Sequence, residues 1–411
     1  MKRNIFTAMI CVVFLTAFFA TGSLAAGVTI ERSDVDDVMR RAEAGEAEWQ
    51  VEAANMYYYG HTKGVEQNIA KAFELYTAAA HQGNVEAYVQ LGEMYHDGNG
   101  VERNLSEALR WWTEAAVSGN GIALRLLGVL HFNGEGVPRD EAAAARYHSR
   151  AVEAGDTLAA VYLAQMYREG DGVPKDLKKS FELFSIAAEK NLQPEAAYQV
   201  GIGNYFDWQD SGARDFPKAL EWFVKAANAG HSGAAYNAGM MYDNGEGTAQ
   251  DGAKAAKYFE LAAEGGYVDA MRIIGVKYYN GEGVARDAVK ASEWHEKAAA
   301  AGSVLSAVYL AQMYRDGDGV TQNAARALEL FLQAAQGGHD HAQMIAGYMY
   351  LSGEGVEVNL EEGARWMRIA AGNDNIDAMR NMVIICRDGL GVPKDEAEAA
   401  EWERKAATAE N

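Results

Sequence analysis

The same arrangement of residues returns ten times along this chain, at a step of about 36 residues. One copy runs Ala87-Tyr88-Val89-Gln90-Leu91-Gly92-Glu93-Met94-Tyr95 and closes on Gly98-Asn99-Gly100-Val101. It continues through Asn104, Ala108, Trp111 and Ala115-Ala116 to Gly119. A period of about 20 to 50 residues restricts a chain to a stacked array, because one such unit buries its apolar face only against its neighbours. The register holds in two places at once. One series is Ala54, Gly92, Gly128, Ala164, Gly201, Gly239, Gly275, Ala311, Gly347 and Val383. A second is Ala72, Ala108, Ala144, Ser180, Ala219, Ala255, Ala291, Ala327, Gly363 and Ala399, and its step is 36 except once, at 39. Two locked series predict an all-α chain: an α/α superhelical solenoid of about ten 36-residue helix-turn-helix repeats.

Each repeat reads as two helices. In the first, Ala87, Leu91, Met94 and Tyr95 recur at helical spacing on one face. A Gly-x-Gly-Val loop follows, as at Gly98/Gly100 and Gly281/Gly283, where glycine closes the helix in the left-handed conformation. Four residues before each member of the second series stands Asn68, Asn104, Asp140, Asp176, Asp215, Asp251, Asp287, Asn323, Asn359 or Asp395. A side-chain oxygen at all ten helix starts predicts N-caps, not metal ligands. Within the second helix the large residue is Leu75, Trp111, Tyr147, Leu183, Trp222, Tyr258, Trp294, Leu330, Trp366 or Trp402, followed by a small pair such as Ala298-Ala299. A bulky residue with small ones a turn later lets paired helices approach closely, so these rings are expected in the core.

The string resembles the Sel-one-like repeat, a relative of the tetratricopeptide repeat. Ala270 to Gly302 carries it closely, through Ile274-Gly275, Tyr278, Gly281-Glu282-Gly283-Val284, Asp287, Lys290-Ala291, Trp294 and Lys297-Ala298-Ala299. The resemblance covers about residues 47–407. It implies a superhelix of antiparallel helix pairs whose concave face binds proteins, used in adaptors and scaffolds. Some members carry a cysteine pair in each repeat; this chain does not.

The first residues set a compartment. Lys2-Arg3, an apolar stretch from Ile5 to Ala20 and Ser23-Leu24-Ala25-Ala26 have the form of a cleaved secretory signal, pointing to a periplasmic or secreted protein. The expected organisation is a signal peptide over 1–25, a capping helix over 27–46, repeats over 47–395, and the last repeat helix with a C-terminal cap over 396–411. An uncleaved anchor is the rival reading of the same segment. No other stretch approaches the ~20 apolar residues of a spanning helix, so no stable membrane insertion is expected after cleavage. Cleavage would remove two of the positive charges from a chain of net charge −21. Such a balance argues against nucleic acid and anionic membranes as partners and admits a basic or extended protein segment. The one cysteine beyond the leader, Cys386, takes the slot of Tyr95 and Tyr278 and is expected to be buried.

The repeats assign most residues to folding and leave few for function. No H-E-x-x-H, G-x-S-x-G, C-x-x-C, S-x-x-K or phosphate-loop pattern occurs. His339 and His341 lack a third ligand in sequence, and the Asp316-x-Asp318 turn lacks the later ligands of a calcium loop. No catalytic residue, metal or cofactor is expected. The alternative is a hydrolase, directed at cell wall or β-lactam, with a site built across repeats. Candidate partner-binding residues are the tyrosines at variable positions of first helices, Tyr162, Tyr198, Tyr236 and Tyr309, since tyrosine gives large contact area at low entropic cost. The fifth repeat adds Phe206 and Trp208, in a loop two residues longer than the others. That loop reads either as a binding spot or hinge, or as a drifted repeat whose rings tuck into the neighbouring groove. The blocks Leu158–Val173 and Leu305–Val320 differ at two of sixteen positions, 147 residues apart, and predict similar surfaces at Tyr162 and Tyr309.

Overall fold

The computed structural model describes residues 35–409 apart from 62, 63 and 192. The expected signal peptide lies outside the described residues. These form twenty-one α-helices and no strand. The helices divide into two units, residues 1–139 and 140–411. The first unit holds six helices, from Val35–Glu43 to Gly121–Asn133; the second holds fifteen, from Glu141–Glu153 to Glu396–Ala409. Within each unit a helix packs on the one before and the one after it in sequence, which is the solenoid arrangement.

Local chemistry sets the helix boundaries. All ten Asn/Asp side chains accept the backbone N–H two or three residues on, at 2.8 to 3.2 Å, from Asn68 and Lys71 to Asp395 and Glu398. Each acceptor satisfies one of the orphan donors of a helix start. His339 is a cap of the same kind on a first helix, its Nδ1 accepting from the Ala342 N–H at 3.2 Å. The two loop glycines have separate tasks. The first, such as Gly281 (φ +77°), ends the helix in the left-handed region. The second is also a contact point: a Cβ on Gly283 (φ +75°) would lie 2.0 Å from the Gly252 carbonyl oxygen, at the start of the preceding second helix.

In eight of the ten second helices the deepest ring stands one residue after the expected position. Tyr76, Trp112, His148, Phe184, Phe223, Phe259, His295 and Phe331 are all fully buried or nearly so. Leu75, Tyr147 and Trp222, from the predicted series, are only half-buried. The deep ring lies flat on the small residue of a first helix, so that a Cβ on Gly239 would meet Phe259 Cδ1 at 2.9 Å. The predicted aromatics sit shallower and are roofed by cations, Lys297 over Trp294 at 4.1 Å and Arg110 over Trp111 at 4.1 Å. Cys386 is fully buried, and burial raises its thiol pKa. In the first unit Val38 and Ala42 of Val35–Glu43 pack with Ala53, Trp49 and Leu75.

Candidate binding face of the first helices

Each predicted tyrosine is held from behind by a ring of a neighbouring element. Tyr162 stacks on His148 (centroids 5.2 Å, planes 14° apart), and Tyr309 on His295 (5.0 Å, 21°). The duplicated blocks therefore build the same pair twice, although Tyr309 is exposed and Tyr162 half-buried. Tyr198 and Tyr236 occupy the preceding position of their helices. They stack on the residue that precedes the next first helix, His231 at 4.3 Å and Tyr267 at 4.7 Å.

His231 links caps to surface. Its Nδ1 accepts the Ala234 N–H at 2.9 Å, so its Nε2 carries the proton and donates to Glu195, 3.1 Å away. Burial alone would raise the Glu195 carboxyl, but the hydrogen bonds from His231 and Gln199 outweigh it and hold the pKa below the ordinary value. Burial raises the Tyr198 hydroxyl, with Glu195 adding to the effect. The strip through Glu195, Tyr198, His231, Tyr236 and Tyr267 is thus a preorganised polar–aromatic surface on the fifth and sixth repeats.

The lengthened loop separates its two candidates. Asp207 ends the helix with φ 58°, and its carboxylate accepts from the Ser211 N–H, the Ser211 hydroxyl and the Gly212 N–H at 2.8 to 2.9 Å. Trp208 folds back, half-buried, over Gly203 beside Phe181. Phe206 stays outside, 56% exposed, with its edge against Tyr205.

Sequence reasoning missed Leu305, Tyr348 and Ile384, exposed apolar residues on the first helices of the last three repeats. Leu305 (45% exposed) stands one turn before Tyr309 (44%). Tyr348 (56%) and Ile384 (53%) hold the same position in successive first helices, one residue after Gly347 and Val383. Folding does not require a large apolar side chain there, since Asn55, Gln165 and Gln312 fill the slot elsewhere.

The first unit carries a different surface. Asn55, Tyr58 and Tyr59 of Ala47–Tyr59 face Glu86 and Glu93 of Val85–Asp97. Tyr58 and Tyr59 meet edge to face at 5.1 Å, and the Tyr76 hydroxyl donates to Asn55 Oδ1 at 2.5 Å. Burial and Glu86 raise the Glu52 carboxyl. Burial pushes Glu93 up to about 7, against the opposing pull of Arg125. Its neighbour His96 is paired with Asp97 (2.6 Å) and Glu135 (3.4 Å), and the hydrogen bond to Asp97 raises its pKa despite burial. These perturbed groups lie on an open helix face, where Glu86 is exposed and Glu52 half-buried. Among the described residues no group of three or more His, Cys, Asp or Glu is placed to hold a metal ion. A cavity of about 420 Å³ between the last two repeats is lined by Asp374, Met379, Trp402, Arg404, Lys405 and Thr408 among others, with no histidine or cysteine.

The Sel1 repeat model matches ten consecutive segments, at 49–84, 85–120, 121–156, 157–192, 194–231, 232–267, 268–303, 304–339, 340–375 and 376–411. The chain belongs to the Sel1 repeat family. Among solved structures it is similar to c5321, a protective antigen present in uropathogenic Escherichia coli strains, at 28% identity and a TM-score of 0.67, over 92% of this chain and 87% of that one. It is also similar to a Sel1 repeat protein from Oxalobacter formigenes, at 28% identity and a TM-score of 0.56, over 88% and 97% of the two chains. Comparison with curated proteins gives no match. Sel1 repeat proteins generally serve as protein-interaction scaffolds, and the family is generally non-catalytic.

Proposed function

We propose that this Sel1 repeat protein is an exported, non-catalytic scaffold that holds a protein partner against the exposed face of its first helices. One observation carries the reading. Leu305, Tyr309, Tyr348 and Ile384 leave large apolar side chains in water on first helices of three successive repeats. Such residues, clustered on one face, mark interaction surfaces. The half-buried Tyr198 and Tyr236, fixed by their stacking partners, would extend the same face toward the fifth repeat at little entropic cost.

The leader-like residues 1–25 support export. Envelope assembly, regulation of a sensor and contact with a host are the processes in which such a scaffold would act. The test is recovery of cross-linked partner from intact cells with and without substitutions on the face. Tyr348→Ala combined with Ile384→Ala should lower recovery about tenfold or more, as loss of interface anchors does. Val117→Ala, equally apolar and 78% exposed but on a second helix, should leave it unchanged. Equal recovery from all three proteins would overturn the proposal.

A further inference from the structure

We infer that Arg272, midway along the first-helix face, receives a carboxylate of the bound partner, with the Tyr236–Tyr267 and Tyr309–His295 pairs as walls on either side. This rests on the reading of first helices as the partner-binding elements and names the chemistry of one contact on them.

The sign is a cation left over where anions are plentiful. The chain holds 58 aspartates and glutamates against 37 lysines and arginines, so an arginine does not lack an ion pair for want of carboxylates. Arg272 lies on Val268–Asn280 and is half-buried, yet among the described residues its guanidinium makes no ion pair, hydrogen bond or ring contact. Arg41, Arg168, Arg315 and Arg326 are half-buried too, and each reaches a carboxylate. The repeats supply a direct comparison. Asp377 and Arg380 hold the positions of Asp269 and Arg272 in the last repeat and close an ion pair at 3.2 Å. In the seventh repeat the same two residues do not meet, and Asp269 stays exposed.

Folding does not ask for the charge. The position of Arg272 holds Val51, Val89, Val161, Val308 and Met344 in five other repeats, and Tyr198 and Tyr236 in the two that precede it. A half-buried guanidinium in such a slot loses hydration without an internal partner in return. Its surroundings are rings. The charge of Arg272 acts on the Tyr236 hydroxyl and on the His295 imidazole. Tyr236 stacks on Tyr267 at 4.7 Å, and His295 on Tyr309 at 5.0 Å. The cation therefore stands between two stacked pairs, on the first helices of repeats six to eight. A guanidinium offers parallel N–H groups that match the two oxygens of a carboxylate, and the tyrosines beside it exclude water from the pair. Leu305 continues the face on one side and Tyr198 on the other, so the fitting partner segment carries its acidic group next to apolar side chains.

The experiment uses the whole mature protein, isotope-labelled at the arginine Nε, and three peptides: acetyl-Leu-Glu-Leu-amide, acetyl-Leu-Gln-Leu-amide, and acetyl-Leu-Gln-Leu with a free terminal carboxylate. The Arg272 Nε–H resonance, assigned by its loss in Arg272→Met, should shift saturably with the glutamate peptide at an affinity of about 1 mM, the scale of one charge-assisted pair and two small apolar contacts. The amidated glutamine peptide should not shift it. A saturable shift with the third peptide also supports the inference and makes a chain terminus a source of the carboxylate; none with it assigns the contact to an acidic side chain. Arg404, exposed on the last second helix, is the internal reference and should show no saturable shift. Met344 fills the slot in the ninth repeat, so Arg272→Met should keep the wild-type circular dichroism. It should weaken binding of the glutamate peptide about tenfold or more, read by saturation transfer to the peptide's leucine methyl groups. No saturable shift with either carboxylate peptide, equal shifts at Arg272 and Arg404, or equal transfer from wild type and Arg272→Met would overturn the inference. None of these results bears on Tyr348 and Ile384, which are assayed with the cellular partner.

Discussion

His295 offers a substitution whose effect should reverse an expected penalty and whose size follows from the structure. The imidazole is 1% exposed, stacked on Tyr309, and pressed on Gly275 so closely that a Cβ there would lie 2.8 Å from its Cε1. Its Nδ1 has no hydrogen-bond partner. Burial, reinforced by Arg272, brings its pKa down from 6.5 to about 4. Folding therefore favours the neutral ring. Above pH 6.5 neither state binds the proton, and this site makes no pH-dependent demand. As pH falls from 6.5 toward 4 the unfolded chain takes up a proton that the folded chain refuses, and stability drops. Linkage gives a loss of about 2 kcal/mol at pH 5, approaching about 3 kcal/mol at pH 4. The slot accepts phenylalanine without rearrangement, since Phe223 and Phe259 lie on Gly201 and Gly239 in the same way. His295→Phe should thus abolish the acid loss and add about 1 kcal/mol at pH 7.5 by removing an unsatisfied buried nitrogen. Because repeat arrays open locally, the readout is amide hydrogen exchange over residues 268–316 at pH 5 and 7.5, beside urea titrations. Equal acid losses in both proteins would refute the argument.

Other positions make shorter demands. Lys277 fills the slot of Met94, Met241 and Met313, is 5% exposed, and places Nζ 2.7 Å from Asp243. Asp243→Ala should cost about 2–3 kcal/mol in urea titrations by stranding a buried ammonium, whereas Lys277→Met should lie within about 1 kcal/mol of wild type. Gly283→Ala combines φ +75° with a clash against the Gly252 carbonyl and should lose about 3 kcal/mol; Gly266→Ala, at φ +85° with open space around it, should lose only about 1 kcal/mol. In the first unit Glu93 ionises in the unfolded chain before it does in the folded one. Stability there should fall as pH rises from about 4.5 to 7 and then level off, and Glu93→Gln should flatten that slope in hydrogen exchange over residues 47–97.

The features visible in sequence were those with local causes. A cap needs only an oxygen at one place, and every Asn or Asp of that series makes its bond. A left-handed loop needs glycine, and the Gly-x-Gly-Val pairs provide it. Depth within the core is legible only to within one residue, because Trp111 and Trp112, about 100° apart on the helix, both fall within an apolar stripe about 100° wide. Which of them lies flat on Gly92 depends on helix–helix approach. The tyrosines show the same limit. Tyr162 and Tyr309 occupy nearly identical blocks and stack on equivalent histidines, yet Tyr309 is exposed and Tyr162 half-buried. Trp208 and Phe206 stood together as candidates, and the turn built on Asp207 sends one inward and the other into solvent. Tyr348, Ile384 and Glu93 share one slot. Comparing the slot across all ten repeats, rather than searching for tyrosines, would have singled them out.

The central claim is that the first-helix face of this Sel1 repeat protein holds a protein. A photo-crosslinking amino acid placed at Tyr348, and for comparison at Glu361, tests it directly when irradiated in intact cells. A discrete adduct from position 348 that disappears with Ile384→Asp, and none from position 361, is the predicted result. No adduct from 348, or the same adducts from both positions, would contradict it.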